Sequence, residues 1–213
     1  MAETEGVIKF NLDYEARALD PVDIAELNAW RGILKQLGLL GQVPDRYDGY
    51  GFGNVSIRTE RGFLISGTQT GGTDHVTLKD YALCTNWDLA NNQVTAVGEI
   101  RPSSESLSHA AVYDVYQEVN CALHVHSPDI WSRARELGIA VTDESVPYGT
   151  PEMAREVRRH ITGKALPGIF SMGGHEDGVF TYGLTLEDAG KLLISFLARA
   201  RSLQRQEKVY VQQ

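Results

Sequence analysis

Two histidines with metal-ligand spacing are the first feature of this sequence that points to chemistry. His124 and His126 lie in the segment ALHVH, whose composition is typical of a strand. Successive side chains of a strand alternate between its two faces, so both imidazoles would point the same way and could bind one cation. Zinc accepts imidazole nitrogens at about 2.0–2.1 Å, which suits such a pair. The alternative is a pair of hydrogen-bonded histidines at the end of a strand.

A third histidine could complete a metal site. His175 stands in SMGGHEDG, a glycine-rich turn that follows a strand. Backbone constraints are loose in such a turn, so the side chain can project toward a neighbour. The alternative is a turn histidine that is bonded to solvent or to the backbone. His75 lies in a polar loop and His160 on a charged helix face, and we interpret both as structural.

An acidic residue stands at the start of a predicted helix. Glu105 ends the segment RPSSE, at the mouth of a helix expected over residues 104–117. Ser103 and Ser104 could cap this helix and could also offer hydroxyl and N–H groups to an anion, because helix N-termini attract negative charge. His109 follows Glu105 by four residues and shares its helix face. That spacing permits either a Glu/His metal pair or a simple side-chain contact.

Two glycine-containing turns next to strands could bind a phosphate. Asn54 follows Gly53, and Thr70 precedes Gly71 and Gly72. Each turn could expose backbone N–H groups to an anion, and each could simply be a turn.

Strands and helices alternate along the chain, which favours an α/β layered domain with a mixed sheet. The segments NVSIR and GFLIS predict a hairpin, and ALHVH, GIFSMG and GVFTYG predict further strands. The pattern predicts helices that start at Asp20, span Ser104–Gln117, span Ser127–Leu137, run from Thr150 to Gly163, and start at Thr185.

Composition excludes several classes of protein. The 213 residues carry a net charge of −8 without a cluster of Lys and Arg, so a nucleic-acid partner is not expected. No apolar run reaches the roughly 20 residues that span a bilayer, and the N-terminus does not have the pattern of a signal peptide. Two cysteines cannot build a disulfide framework, which favours the cytoplasm. We predict one domain over residues 1–213, with an irregular lead-in at 1–19 and a C-terminal tail at 201–213.

Taken in order, these segments resemble the class II aldolase/adducin family, in particular its fuculose-phosphate aldolases. The resemblance rests on GNVS at 53–56, a LIS…TG loop at 64–71, PSSE at 102–105, HVH at 124–126 and GHEDG at 174–178. The first histidine of HVH follows the glutamate of PSSE by nineteen residues, and this pair is the most specific part. The resemblance implies a three-layer αβα domain around a central mixed, largely antiparallel sheet, and a homotetramer.

The resemblance also implies roles for the candidate residues. His124, His126 and His175 would bind zinc, and Glu105 would be the catalytic acid and base. Manganese, cobalt or iron could replace zinc, because imidazole suits several metals. Thr70-Gly71 and Ser66-Gly67 are two possible registers for the Gly-rich part of the phosphate site. With the first register, the phosphate ligands are Asn54, Thr70, Gly71, Ser103 and Ser104.

The expected activity is that of a zinc-dependent lyase, an aldolase that cleaves a small phosphorylated ketose or related hydroxy-ketone through a metal-stabilised enediolate. The segment between His126 and His175 is shorter than in fuculose-type aldolases and lacks their tyrosine proton donor, for which Tyr148 or Tyr210 could substitute. A dehydratase of the methylthioribulose-phosphate type, or a sugar-phosphate epimerase, could use the same metal site. A non-catalytic adducin-like binding or assembly module is the third possibility.

Overall fold

A mixed sheet of nine strands forms the centre of the protein. The computed structural model describes residues 6–211, with side chains described as far as residue 205. Six strand pairs of the sheet are antiparallel, and its two outermost pairs are parallel. The predicted mixed, largely antiparallel sheet is therefore confirmed. In chain order the strands are β1 (Asn11–Ala16), β2 (Gly41–Gln42), β3 (Gly51–Phe52), β4 (Asn54–Thr59), β5 (Gly62–Ser66), β6 (Tyr81–Asp88), β7 (Gln93–Gly98), β8 (Cys121–His126), β9 (Ala140–Val141), β10 (Gly168–Ser171) and β11 (Gly178–Gly183). The sheet has the order β1-β7-β6-β5-β4-β8-β11-β10-β9, and β2 pairs separately with β3.

Helices cover both faces of this sheet, which confirms the three-layer αβα fold. The helices are α1 (Ala25–Gln36), α2 (Ser106–Val115), α3 (Pro128–Trp131), α4 (Pro151–Ile161) and α5 (Leu186–Val211). Apolar residues of α2 and α4 belong to one buried cluster, and those of α1, α3 and α5 belong to the other. The central strand β8 is buried along its whole length, because it lies between the two clusters. Any charged or polar side chain on β8 is therefore removed from water.

Most of the predicted elements are present. The hairpin is formed by β4 and β5, and the other predicted strands are β8, β10 and β11. Thr150 caps α4 by accepting the Met153 N–H, and Gly163 follows that helix with a φ of +72°. Thr185 accepts the Asp188 N–H at the start of α5, as the capping pattern predicts.

Two predictions at the N-terminal end are wrong. Residues 11–16 form β1 rather than an irregular lead-in, because Leu12 and Tyr14 alternate with polar residues and pack against the core. Helix α1 begins at Ala25 rather than at Asp20. The carboxylate of Asp23 accepts the Ala25 N–H, and the residues before it stay outside the helix. Residues 1–5 of the predicted lead-in lie outside the described residues.

Two further predictions about helix length are wrong. The helix expected over Ser127–Leu137 is limited to α3, because the N–H groups of Arg133 and Ala134 donate to carbonyls three residues back and the chain tightens into turns. Residues 201–211 of the predicted tail at 201–213 continue α5, since Leu203 extends the apolar face of that helix onto the core. Residues 212–213 lie outside the described residues. No helix among the described residues is long and apolar enough to cross a membrane.

Candidate functional site

Two of the candidate ligands lie at the end of the central strand. His124 on β8 stands opposite Asn54 of β4 on one side and Phe180 of β11 on the other. The His126 backbone N–H donates to Leu39 O at 2.9 Å, which fixes the strand end against the segment that follows α1. Both imidazoles are fully buried. The sheet therefore sets their positions rigidly.

The third candidate ligand is supplied by the turn between β10 and β11. The His175 N–H donates to Met172 O at 3.3 Å, and the Gly178 N–H donates to His175 O at 3.0 Å. A Cβ atom on Gly178 would lie 2.8 Å from Cδ2 of His175, closer than such contacts allow. Glycine at this position therefore lets the imidazole fold back toward the strand.

The three imidazoles converge as a metal-ligand set would. One nitrogen from each of His124, His126 and His175 lies within 4.8 Å of the others, and the Nε2 atoms of His126 and His175 are 3.1 Å apart. Tetrahedral zinc with bonds of about 2.0–2.1 Å separates its nitrogen ligands by roughly 3.3 Å. The ring nitrogens of His124 are buried without a partner at ordinary hydrogen-bond distance among the described residues, although the imidazole interacts with the Val179 backbone. A buried imidazole of this kind is suited to a divalent transition metal, so the residues fit the implied ion.

Burial keeps these ligands in the neutral form that binds metal. Burial, reinforced by the nearby His175, lowers the pKa of His124 and of His126 well below the ordinary value. Burial and then Lys9 lower the pKa of His175 to about 3. Neutral imidazole has a lone pair to donate, so the set is ready for a cation at neutral pH.

Glu105 lies against the same cluster. Its Oε1 atom is 3.7 Å from Nε2 of His175, and its side chain is fully buried. The Ser108 hydroxyl donates to Oε2 of Glu105 at 3.0 Å. Glu105 occupies the residue before α2, where the helix N-terminus favours a negative charge. The carboxylate is thus held next to the imidazoles by the helix that carries it.

A small polar cleft lies beside these residues. The predicted residues Asn54, Gly71, Ser103 and Ser104 all line it, together with Gly6, Gly51, Gly53, Gly67, Thr68 and Gln69. Thr70 lies behind the cleft wall, and its hydroxyl donates to Gly67 O at 2.8 Å. A Cβ atom on Gly71 would lie 2.4 Å from Gly41 O, so only glycine fits there. The Gly-rich loop, residues 66–74, thus contributes a glycine to the cleft in either possible register, Gly67 or Gly71.

His109 is bonded to a lining residue of the cleft, Asn54, and lies outside the metal-ligand set. Its Nε2 atom lies 2.6 Å from Oδ1 of Asn54, and its Nδ1 atom lies 2.7 Å from the Ser56 hydroxyl. An amide oxygen only accepts, so Nε2 carries the proton and Nδ1 accepts from Ser56. Tyr113 then donates to the same Ser56 oxygen at 2.7 Å. The ring nitrogens of His109 thus bond to Asn54 and Ser56, rather than to Glu105 or to a metal shared with Glu105.

Sequence reasoning missed two cations that hold the Gly-rich loop. Arg31 of α1 is 2% exposed, and its guanidinium donates to the carbonyl oxygens of residues 70, 71 and 73. Lys35, one turn later, donates to Gly72 O at 2.5 Å. The sequence does carry a signal for Arg31, which stands four residues after Leu27 and three before Leu34. This spacing places Arg31 on the apolar face of the helix and so indicates a buried cation.

A second missed group covers His126. The ring of Tyr47 packs edge-on against the His126 ring at 4.6 Å between centroids. Tyr47 donates to Oδ2 of Asp177 at 2.6 Å and accepts from Nη2 of Arg46 at 2.7 Å. Burial, with Asp177 next, raises the pKa of the Tyr47 hydroxyl. Tyr47 and Asp177 both have positive φ, and the sequence carries no signal for this pairing across 130 positions.

Tyr148, a predicted substitute proton donor, also lies at the metal-ligand set. Its ring centroid is 4.6 Å from that of His175, and the Lys9 ammonium lies 3.7 Å from the same tyrosine centroid. Its hydroxyl accepts the Val7 N–H at 3.2 Å. The side chain of Tyr210 lies outside the described residues.

Comparisons with known proteins agree with this fold. Residues 44–202 match the class II aldolase and adducin N-terminal domain, so the chain belongs to that family. A methylthioribulose-1-phosphate dehydratase from Leptospira interrogans is 32% identical over 105 residues, which cover 45% of this chain and 42% of the dehydratase. The chain thus matches less than half the length of that relative.

Solved structures show the same fold at lower identity. L-fuculose-1-phosphate aldolase from Thermus thermophilus is 20% identical with a TM-score of 0.66, covering 87% of this chain and 94% of that one. A sugar-phosphate aldolase from Thermotoga maritima is 15% identical with a TM-score of 0.68, covering 87% and 95%. At these identities the likeness shows the fold.

Proposed function

We propose that this protein is a zinc-dependent lyase that cleaves a small phosphorylated ketose or a related hydroxy-ketone. The observation that carries the proposal is the convergence of three buried, neutral imidazoles with a carboxylate. Nitrogens of His124, His126 and His175 lie within 4.8 Å of each other, and Glu105 is 3.7 Å from one of them. Membership of the class II aldolase and adducin family supports it.

The three histidines would hold the metal. When bound, a divalent cation here would polarise carbonyl and hydroxyl oxygens of the substrate and stabilise the negative charge that develops on them. Zinc is the proposed ion because it accepts three imidazoles and leaves a position for substrate.

Glu105 would move the proton at the reacting carbon. In retro-aldol cleavage the bond between carbons 3 and 4 of the ketose breaks, a proton leaves the hydroxyl on carbon 4, and a proton returns to carbon 3. A carboxylate adjacent to the metal ligands is placed for one of these transfers. The Ser108 hydroxyl fixes its orientation from Oε2, which leaves Oε1 directed at the histidine cluster.

The polar cleft would hold the substrate phosphate. Asn54, Gly71, Ser103 and Ser104 line it, and Thr70 would contribute through the loop that its hydroxyl stabilises. Asn54 stands opposite His124 in the sheet, and Ser103 and Ser104 directly precede Glu105. A phosphate bound here would therefore fix the reacting end of the substrate near the metal-ligand set.

Incubation of the zinc-loaded protein with a panel of ketose 1-phosphates tests the proposal. We expect release of dihydroxyacetone phosphate, measured with a coupled reductase assay, and its loss on chelation. If folded protein carrying a full equivalent of zinc released no dihydroxyacetone phosphate from any member of the panel, the aldolase activity would be excluded.

A second candidate is a dehydratase of the methylthioribulose-phosphate type. The 32% identity to such an enzyme over 105 residues favours it, as does the short segment between His126 and His175. Dehydration removes one water and leaves the carbon skeleton whole, so the mass of the product separates the two reactions. An adducin-like binding module would instead show no zinc uptake. The homotetramer and the cytoplasmic setting stay predictions.

A further inference from the structure

Arg31 binds one side of the Gly-rich loop. Its Nη1 atom donates to Thr73 O at 2.9 Å, and its Nη2 atom donates to Thr70 O. A longer contact of 3.4 Å joins Nη2 to Gly71 O. One guanidinium therefore fixes three carbonyl groups within four consecutive residues.

Lys35 binds the remaining carbonyl of this stretch. Its Nζ atom donates to Gly72 O at 2.5 Å and also to the exposed carboxylate of Asp74. All four carbonyl oxygens of residues 70–73 are thus turned toward α1. The loop presents one polar edge to the helix and the opposite edge to the cleft.

The orientation of the carbonyls determines where the N–H groups point. A trans peptide places its C=O and N–H on opposite sides. Because the carbonyl of Thr70 faces Arg31, the N–H of Gly71 faces away from α1. Two observations agree with this direction: Gly71 lines the cleft, and a Cβ atom on Gly51, another lining residue, would lie 3.3 Å from the Gly71 nitrogen.

Arg31 also brings a positive charge to the back of the cleft. Its side chain is buried, and the hydrogen bonds of its guanidinium among the described residues go to carbonyl oxygens rather than to a carboxylate. Asp80 and Asp74 also interact electrostatically with Arg31 and offset part of its charge. The remaining positive potential of Arg31 adds to that of the loop N–H groups where an anion would bind.

We propose that Arg31 is a positioning residue for phosphate binding. It turns the Gly71 N–H into the cleft by binding the carbonyls of residues 70, 71 and 73, and it supplies positive potential behind that N–H. The inference rests on the proposed function, because it takes the cleft to be the phosphate site. Arg31 does not touch the substrate; it acts through the loop.

Inorganic phosphate is the probe for this role. Its dissociation constant is measured by calorimetry on zinc-loaded wild-type protein and on the Arg31→Met and Arg31→Lys variants. We expect Arg31→Met to weaken phosphate binding by about tenfold or more, as for loss of a charged hydrogen-bonding group. Arg31→Lys should fall between the two, because one ammonium keeps the charge but cannot bind the carbonyls as a planar fork does.

Kinetics and zinc content separate positioning from general damage. With the phosphorylated substrate, Arg31→Met should raise KM by a similar factor while kcat and bound zinc stay near the wild-type values. The matched control is Arg61→Met, since Arg61 pairs with the exposed Asp20 on the β4–β5 turn. This control should leave phosphate affinity unchanged.

Each outcome decides the proposal. A folded, zinc-loaded Arg31→Met protein that binds phosphate as tightly as wild type would overturn it. Where Arg31→Met does not fold, unchanged affinity in Arg31→Lys would overturn it equally. If wild-type protein bound zinc but neither phosphate nor any ketose phosphate, the proposed function itself would be wrong. The positioning role of Arg31 would then be wrong as well.

Discussion

The Nε2 atoms of His126 and His175 lie 3.1 Å apart, although the two residues are separated by 49 positions in the chain. The end of β8 supplies one and the β10–β11 turn supplies the other. Two neutral imidazoles at this distance share at most one proton, so a single hydrogen bond is the best contact they can make alone. A cation between them would use both lone pairs. The relationship therefore leads directly to predictions about metal binding.

Removing one ligand should abolish stable zinc binding. We expect the His175→Ala variant to retain under a tenth of the zinc of wild type after dialysis, because two imidazoles leave too few ligands for tight binding. Zinc is measured by mass spectrometry of acid-digested protein. Wild type should also lose thermal stability on chelation, since a ligand at roughly 100 times its dissociation constant contributes about 2.7 kcal/mol.

His160→Ala is the control for this prediction. His160 lies on α4, interacts with Glu156 at 3.5 Å and is not one of the candidate ligands. Its variant should bind zinc as wild type does. Full zinc retention by a folded His175→Ala protein would refute the three-histidine site.

Replacing Glu105 by Gln should lower turnover and leave the metal in place. The amide has the same shape as the carboxylate but cannot accept a proton at neutral pH. General acid–base groups contribute typically 10²–10⁴-fold, so we expect kcat to fall by about that factor. Zinc content should stay near one equivalent, because the three imidazoles are unchanged.

Glu152→Gln provides the comparison for Glu105. Glu152 lies in the first turn of α4 and pairs with Arg155 at the surface. That variant should keep wild-type kcat and zinc content. A Glu105→Gln enzyme that turns over as fast as the Glu152→Gln enzyme would remove Glu105 from the mechanism.

The hydroxyl of Tyr47 should affect zinc affinity from outside the ligand set. Tyr47→Phe keeps the ring against His126 but loses the bonds to Asp177 and Arg46. Asp177 is two residues beyond His175, so this hydroxyl ties the turn of the third ligand to the segment that covers the second. Groups that orient metal ligands change affinity by about 10- to 100-fold, and we expect the lower end of this range.

A competition assay with a zinc chelator measures this effect. Tyr50→Phe is a suitable control, because Tyr50 stands on the same segment and is 40% exposed. Equal zinc affinity in Tyr47→Phe and wild type would show that the Tyr47–Asp177 bond does not position the ligands.

The site could be found from the sequence because its ligands follow local rules. His124 and His126 are adjacent on one strand face, and Ser103, Ser104 and Glu105 are consecutive, so local geometry already brings each group together. Tyr47 and Arg31 obey no such rule. Their partners lie 130 and 39 to 42 positions away, and only the assembled sheet and helices bring them into contact.

The errors in the fold have a related cause. Asp20 and Pro21 form a good local helix start, yet the helix begins after Asp23, whose carboxylate accepts the Ala25 N–H. Strand β1 was missed because its pairing with β7 joins Asn11 to Gln93, far apart in sequence. Its alternating pattern is short, and such patterns become strands only when a partner is present.

His109 gives the protein a pH-dependent stability that can be measured. Burial lowers the pKa of His109 to about 3, whereas the ordinary value is 6.5. Between these two pKa values the unfolded chain binds a proton that the folded protein does not. The contribution of neutral His109 to the free energy of unfolding is therefore fully present above pH 6.5 and is lost as the pH falls toward 3. The slope for one proton is roughly 1.4 kcal/mol per pH unit.

The His109→Gln variant should flatten this dependence. Glutamine does not titrate and keeps an N–H that can donate to Asn54, so the fold is preserved while the proton-linked loss is removed. Urea unfolding of the metal-free proteins between about pH 6.5 and 4.5 measures the difference, and the other histidines cancel because both proteins contain them. His160→Gln should flatten the profile less, since His160 is only partly buried. Parallel pH profiles of stability for wild type and His109→Gln would mean that His109 takes up its proton in the folded protein over the same pH range as in the unfolded chain. A protonated His109 could not accept the bond from Ser56 at Nδ1.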